Sequence, residues 1–328
     1  MPELQTTQIL VIGAGMAGLS AAKDLSETGK QVLVIDKGRG LGGRLSNRRI
    51  NGAIAEHGAQ FVTARTPRFK ALLREWLDAG VIAEWWRGES DIDGEEGHPR
   101  YRGAPTMSAM AKQLAKGVDV QSGVRAVSFA KQENGWLTTL ESGDAIQSQQ
   151  LIITAPVPQT LDLLAASDIV ISQAHQQQLE GIEYEPCIAV MATLSNSTEI
   201  PQNGALPISH GPIAWIADNE AKGVSEKPSI TIHASAEFSR DNWDRDRQEV
   251  GQELLNVAEQ LLGASVLEFQ VHGWLYSKPV KTEAEPCLVV SESPLMVLAG
   301  DAFGGPKVEG AVVSGWAAAE ASVYQSPA

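Results

Sequence analysis

Gly13-x-Gly15-x-x-Gly18 follows directly on the apolar run Ile9-Leu10-Val11-Ile12, and this pairing is the first chemical signal in the chain. Glycines at that spacing, between a strand and a helix, suit the binding of a pyrophosphate. Gly13 permits the tight turn, Gly15 lets a phosphate approach the backbone, and Gly18 lets helix and strand pack closely. Ala14, Met16 and Ala17 lie between them and bring backbone N–H groups to the positive end of the helix. A second apolar run, Val32-Leu33-Val34-Ile35, ends at Asp36, whose carboxylate suits the two hydroxyls of an adenosine ribose. A lone GxGxxG is weak evidence, but here strand, glycines, helix, strand and acid come in the order the motif requires. The expected ligand is a dinucleotide.

Several further elements must position that site. Gly18, Ala21, Ala22 and Leu25 recur on one helical face, and Gly29 stands where that helix should stop. The loop after Asp36 runs through Lys37, Arg39, Gly42 and Gly43 to Arg44, which either bonds a phosphate or orders the loop. Asn51-Gly52 between apolar segments predicts a hairpin. Gly58-Ala59-Gln60-Phe61 then brings the chain back with small residues suited to close approach of a flat ring. Thr66-Pro67 opens a helix with the stripe Phe69, Leu72, Leu73, Trp76 and Leu77, and residues 87–99 read as an exposed loop. Met107, Met110, Ala111 and Leu114 mark another helix. Strands at 124–129, beginning with Val124, and at 136–140 are joined by Asn134-Gly135. A buried strand then runs into Thr154-Ala155-Pro156, a second place where backbone meets the ligand. Strand-like segments near 188–194, 230–234 and 267–276 accompany one long helix with Val250, Leu254, Ala258 and Leu261 on its face. The chain closes with a strand at 295–299, Gly300-Asp301 and a small-residue helix from Glu309.

Composition bounds the partners. With 328 residues, 43% hydrophobic and 20% charged, the chain has material for about two domains with packed cores. Its net charge of −14 argues against nucleic acid and against anionic lipid, both of which need clustered Lys and Arg. The two cysteines, Cys187 and Cys287, form no metal-binding pair, and no metal site is expected. No apolar stretch approaches membrane-spanning length, and no basic segment precedes the first apolar run, so a cytoplasmic protein without a membrane partner is expected. The oligomeric state is not legible.

Gly38-Arg39-Gly40-Leu41-Gly42-Gly43-Arg44 resembles the GGR element of flavoproteins of the amine-oxidase and glutathione-reductase-like superfamily. Further stretches narrow the resemblance: Gly58-Ala59-Gln60-Phe61-Val62-Thr63-Ala64-Arg65, Val81-Ile82-Ala83-Glu84-Trp85, Gly103-Ala104-Pro105-Thr106-Met107-Ser108, His233-Ala234-Ser235, and Trp274-Leu275-Tyr276-Ser277-Lys278-Pro279. With Gly300-Asp301 and Val308-Glu309-Gly310-Ala311 they make nearly the whole chain similar to bacterial renalases, a branch of the amine-oxidase-like flavoproteins. The resemblance implies an α/β protein: a Rossmann-like three-layer FAD-binding domain (1–67, 106–160 and 286–328) with an inserted α+β substrate domain (68–105 and 161–285). It implies noncovalent FAD, with Asp301 at the ribityl chain or capping a helix. The N–H groups of Gly310, Ala311 and Val312 would face the pyrimidine edge of the flavin. The implied reaction oxidises dihydronicotinamide dinucleotides whose hydride sits at the 2- or 6-position. It gives NAD(P)+ and, with O2, hydrogen peroxide.

Hydride transfer of this kind needs alignment more than a protein acid or base. Candidates for substrate are Gln60, Thr63 and Arg65, which either orient a carboxamide or phosphate or form a structural turn. His233 and His272 are proton carriers or satisfied strand residues, and Trp274 and Tyr276 are a pocket wall or core. Asn219 contacts substrate or caps a turn. In amine oxidases of the superfamily a lysine lies near the flavin; Lys278 and Lys307 are both open to that role. The alternatives are an amine oxidase and a noncatalytic FAD- or NAD-binding protein.

Overall fold

Strand and helix alternate from the N-terminus of the computed structural model, as the apolar runs require; residues 4–88, 97–201 and 203–324 are described. The first third holds β1 (Leu4–Ile12), α1 (Met16–Glu27), β2 (Val32–Asp36), β3 (Asn47–Ile50), β4 (Ala53–Glu56), α2 (Pro67–Asp78), β5 (Ile82–Arg87), β6 (Pro99–Gly103) and α3 (Ser108–Leu114). Next come β7 (Asp119–Ser122), β8 (Ala126–Gln132), β9 (Gly135–Leu140), β10 (Ala145–Ile153), α4 (Val157–Ala166), α5 (Gln173–Glu180), β11 (Tyr184–Leu194), β12 (Ala205–Pro207), β13 (Ile213–Asp218) and β14 (Ser229–Ala234). The last are α6 (Ala236–Asp241), α7 (Arg247–Leu262), β15 (Val266–Pro279), β16 (Leu288–Glu292), β17 (Leu295–Leu298), α8 (Asp301–Gly304) and α9 (Val308–Tyr324).

The chain divides into two units. The first comprises Met1–Gly43, Ala111–Glu183 and Pro279–Ala328; the second comprises Arg44–Met110 and Tyr184–Lys278. In the first, the strand order is β16-β17-β10-β1-β2-β7, and all of these pair in parallel except β16. The continuous apolar runs of β1, β2 and β10 are what a strand buried on both faces needs. Register sets the site: Ile12 lies opposite Ile35 on one side and Ile153 on the other. Gly13, Asp36 and Thr154 therefore leave the sheet at one level, at the carboxyl ends of adjacent strands, where ligands of open α/β sheets bind. The β8–β9 ribbon pairs with the first half of β10 and is pinned by Trp136, whose Nε1 donates to the Leu295 carbonyl at 2.9 Å.

The second unit is built on the sheet β12-β13-β14-β11-β15. Val250, Leu254, Ala258 and Leu262 recur at helical spacing along α7 and bury their stripe with Ile188, Val190, Ile230 and Ile232, whereas Leu261, read from sequence on this face, is exposed. Asp246 caps that helix by accepting from the backbone N–H groups of Gln248 and Glu249. Two hairpins complete the unit, β3–β4 and β5–β6. Residues 44–67, read from sequence with the first domain, lie in the second unit, and residues 161–183 lie in the first. The reason for the former is packing: Ile50 and Ala55 of the hairpin form a buried cluster with Met191 of β11. The expected loop at 87–99 is shorter at both ends, because β5 runs to Arg87 and β6 starts at Pro99; residues 89–96 lie outside the described residues.

Candidate active site

The three glycines are separated by what each would meet. Gly13 has φ +114°, closed to L side chains, and a Cβ there would overlap the Thr154 hydroxyl. A Cβ on Gly18 would overlap the Gly13 carbonyl, the close helix–strand contact read from sequence. A Cβ on Gly15 meets no protein atom within 4 Å, and its φ of −78° is open to any residue. Nothing in the protein itself requires glycine at position 15, and the open space above it is what a pyrophosphate approaching the backbone needs. The first intrahelical bond of α1 runs from the Leu19 N–H to the Gly15 carbonyl, which leaves the earlier donors of the first turn, from Met16 on, to acceptors outside the helix. No acidic residue competes in that turn.

Asp36 links the turn to the following loop. Its Oδ2 accepts from Ala14 N–H and its Oδ1 from Gly38 N–H, each at 2.6 Å. Gly42 N–H returns to the Ala14 carbonyl at 2.8 Å, and Val124 N–H donates to the Asp36 carbonyl at 2.8 Å. Val124 thus supports Asp36 through the backbone, and the Ala14 N–H expected at phosphate is engaged by the Asp36 carboxylate. The loop carries Gly43 past Gly15, leaves Arg39 exposed, and lets Lys37 donate to Gln159 at 2.9 Å. Burial, then the Arg125 charge, lowers the Lys37 pKa, with Asp36 opposing.

Thr154 uses its hydroxyl on the Ile12 and Gly13 carbonyls at 3.1 and 3.3 Å, so it shapes the glycine turn. Ala155 accepts from the Thr160 hydroxyl, and Pro156 stands at the N-cap of α4. Beside Thr154, at the carboxyl end of the neighbouring parallel strand β17, Gly300 N–H donates to the Ser314 hydroxyl at 2.7 Å, and Asp301 opens α8, buried at 8% exposure. The expectation for α9 needs correction. Ala311 N–H donates to the Lys307 carbonyl at 3.0 Å, and Val312 lies one residue deeper in the helix. Gly310, rather than Ala311 or Val312, is the last residue of the first turn whose N–H precedes the intrahelical bonds. Glu309 is buried there with it.

In the second unit, Arg44 directs Nη1 at the Tyr276 and Ser277 carbonyls, at 3.2 and 3.0 Å, which orders the chain against β15. Gly58 lies under Arg44: a Cβ would overlap the Arg44 carbonyl, and Ala59 N–H donates to that same oxygen. Gln60 turns its amide inward. Its Nε2 donates to the carbonyls of Glu56 (2.6 Å) and Gly58 (3.0 Å), and its Oε1 accepts from Lys222 at 3.0 Å. Lys222 and Glu56 form a fully buried ion pair, Nζ to Oε2 2.7 Å. Burial is the main force on Lys222 and lowers its pKa, Glu56 opposes it, and Arg102 adds to the lowering. Asn219 spends its side chain on two strands: Nδ2 donates to the Thr231 hydroxyl of β14 and Oδ1 accepts from Glu56 N–H of β4. Thr63 is half-buried and Arg65 is exposed; Lys278, also exposed, stands 3.9 Å from Glu185.

Three histidines meet on this unit with an arginine. Trp274 stacks on His57 (5.2 Å between centroids), donates Nε1 to the His57 carbonyl at 2.7 Å, and meets the edge of His272. Arg48 Nη2 is 3.0 Å from His272 Nδ1. A guanidinium is always a donor, so that ring nitrogen accepts and His272 is neutral. Tyr276, two residues beyond Trp274, packs edge-on against Tyr184 at 5.5 Å. Burial above all holds the His57 pKa at about 3, with His272, Arg48 and His233 adding to it and a Ser46 backbone bond opposing. Burial likewise holds His233 at about 4, opposed by a bond to the His57 backbone and aided by Lys222; it holds His272 at about 4 with help from Arg48.

All three values lie below the ordinary 6.5 of unfolded histidine. Between them, the unfolded chain takes up protons that the folded chain refuses, so this contribution is complete above pH 6.5 and is lost as pH falls toward 4. The melting temperature is therefore expected to drop from pH 7 to pH 5, and to drop less steeply in His57→Gln. Equal slopes for the two proteins in a thermal melt series would remove His57 from the account.

Sequence reading missed Lys222, Glu56 as its partner, His57, Arg48 and an aromatic group around Trp215. One signal was present. Tryptophan outnumbers phenylalanine and tyrosine, 8 against 6 and 4, and Trp85-Trp86 are adjacent.

A parallel sheet with a glycine turn at the carboxyl end of β1 and an acid ending β2 defines a Rossmann-type dinucleotide-binding protein. Residues 11–76 match the NAD(P)-binding Rossmann-like domain, and residues 83–322 match the flavin containing amine oxidoreductase family. The chain belongs to the flavin containing amine oxidoreductase family and is a renalase-like, FAD-dependent oxidoreductase. It is 23% identical to renalase of Mus musculus over 329 residues, covering 94% of this chain and 96% of that protein. A shorter match, 36% over 82 residues, links it to putrescine oxidase of Kocuria rosea, covering 25% of this chain and 17% of that one. Its fold is shared with a solved single-site variant of putrescine oxidase, at TM-score 0.75 and 15% identity, covering 99% and 100% of the two chains. FAD fits the first unit on the evidence of Gly15, the first-turn donors of α1 and the Asp36 carboxylate. No helix among the described residues is long and apolar enough to cross a membrane.

Proposed function

We propose that this protein oxidises dihydronicotinamide dinucleotides that carry their hydride at the 2- or 6-position, releasing NAD(P)+. End-to-end similarity to a renalase, together with the renalase-like stretches along the chain, carries the reading. Bound FAD would supply the redox chemistry, as acceptor of the hydride (two electrons with one proton), with O2 as the final acceptor of two electrons and two protons to give hydrogen peroxide. The protein's own groups then have to bind and align. Backbone N–H groups at Met16 and Ala17 hold pyrophosphate, Asp36 holds ribose, and Asp301 and Gly310 serve the flavin end. His57, His233 and His272 are held neutral, which suits a reaction that needs no protein acid. We also read the FAD as dissociable and the enzyme as cytoplasmic. Burial pushes the Cys187 thiol up to about 12, against a hydrogen bond from Ser277, and raises Cys287 as well, so neither is a ready thiolate.

The test is an anaerobic titration of the purified yellow protein with 1,2- and 1,6-dihydronicotinamide dinucleotides. Stoichiometric bleaching, reversed in air with peroxide release, is the expected result. A flavin that these compounds leave oxidised but an amine bleaches would replace this reading with amine oxidation.

A further inference from the structure

We infer that Phe61, Trp86, Trp215 and Arg100 form a subsite for the adenylate half of a dinucleotide substrate. The inference rests on the dinucleotide reading above and assigns the half of the substrate that does not react.

The cluster is produced by a defect in pairing. Glu84 pairs with Tyr101 and Trp86 with Arg100, so Trp85 is an extra residue in the β5–β6 ribbon. Neighbours in a regular strand face opposite ways, but a bulge re-aims one of them. Both indoles consequently meet Trp215 of β13, Trp85 edge-on at 6.2 Å and Trp86 stacked at 6.5 Å with 28° between planes. Phe61 closes the group at 5.8 Å from Trp215 and 6.5 Å from Trp86.

Two features specify a ligand. First, the cluster offers flat aromatic faces: Trp86 and Trp215 lie with 28° between their planes and 6.5 Å between centroids, within the range of a contacting pair, and together they make a platform on which a further planar ring stacks. Second, the buried polar atoms here are all donors: Trp86 Nε1, Trp215 Nε1 and Arg100 Nε have no hydrogen-bond partner among the described residues. Buried donors in that state favour a group that brings acceptors. Trp85, in contrast, is satisfied by the Asn203 carbonyl at 2.6 Å and covers Lys222 at 4.4 Å.

Arg100 decides which ring. Its guanidinium lies 4.2 Å from the Trp86 centroid and 5.4 Å from that of Phe61, with the His98 carbonyl at 3.4 Å as an acceptor. Burial lowers its pKa, the mark of a charge that an anion would relieve. A cation already over the aromatic faces disfavours an amine, and it disfavours the positively charged nicotinamide of the product. Adenine offers ring-nitrogen acceptors and a flat face, and its nucleotide offers a phosphate for the guanidinium.

The test uses FAD-loaded enzyme, so that the cofactor's own adenylate site is filled. AMP is titrated in by calorimetry and by tryptophan fluorescence. Wild type should bind with quenching, Arg100→Gln should bind at least tenfold more weakly, and Trp215→Phe, which keeps a ring, should retain more affinity than Trp215→Leu. In turnover, the ratio of KM for the dihydronicotinamide dinucleotide to KM for the mononucleotide should rise about tenfold in Arg100→Gln. No AMP binding to wild type, or equal weakening for dinucleotide and mononucleotide, would overturn the subsite. The arms separate the two readings. AMP binding with no flavin reduction by any dihydronicotinamide would keep the subsite and reject the substrate, and reduction without AMP binding would do the reverse.

Discussion

Gly15→Val is expected to yield a folded protein that cannot hold FAD. The unusual part of this expectation is the folded half. A glycine in a tight turn normally resists substitution because the backbone or its neighbours forbid a side chain, and both Gly13 and Gly18 are of that kind. At Gly15 the backbone is ordinary, φ −78°, and a Cβ meets no protein atom within 4 Å. The branched side chain would therefore stand where phosphate must approach the first turn of α1. Purified Gly15→Val should be colourless, fail to turn yellow on reconstitution, and melt close to the wild-type apoprotein. Loss of a few charge-assisted bonds, at about 1.5–3 kcal/mol each, is enough to weaken retention by a hundredfold or more. A yellow Gly15→Val protein with normal flavin content would move the pyrophosphate elsewhere. A variant that fails to melt cooperatively would show that glycine is needed by the fold.

The contrast among these glycines explains how far the sequence could be read. Spacing alone placed the turn, because continuous apolar runs such as Ile9–Ile12 admit few other readings and the register that follows is local. The returning strand β17 was equally plain. Other elements left little trace: α5 buries only Leu179 of its eight residues, so it shows no apolar stripe, and β12 is three residues long. The site was legible where function depends on backbone near its own motif, and obscure where it depends on distant partners. Asp36 bonds residues 14 and 38, close in sequence. Lys222 sits in a polar stretch that reads as a solvated turn, and its partner Glu56 lies 166 positions earlier. Gln60 was read from sequence as a candidate for substrate or a structural turn, and its amide faces that hidden pair. No periodicity reveals the direction of a single amide. The bulge at Trp85 is of the same kind, since it exists only in the pairing of β5 with β6.

Lys222→Met should be the most destabilising single change in the second unit. The pair it breaks is entirely buried, with both side chains at 0% exposure. Glu56 also accepts from Met107 N–H through Oε1, and Lys222 also donates to Gln60 Oε1. Removing the ammonium leaves a carboxylate without its counter-charge and a buried amide oxygen without that donor. Breaking a buried pair from one side costs about 3–5 kcal/mol, whereas replacing both charges often costs little. For a protein of this size, at ~2–4 °C per kcal/mol, the melting temperature should fall by roughly 10 °C. The double variant Glu56→Gln/Lys222→Met should recover at least half of that loss, because no unpaired charge remains. Such recovery separates an electrostatic cost from a packing cost, since methionine fills nearly the volume of lysine in both proteins. Equal melting of the single and double variants would mean that Lys222 matters through its stem against Trp85, where Nζ stands 4.4 Å from the ring.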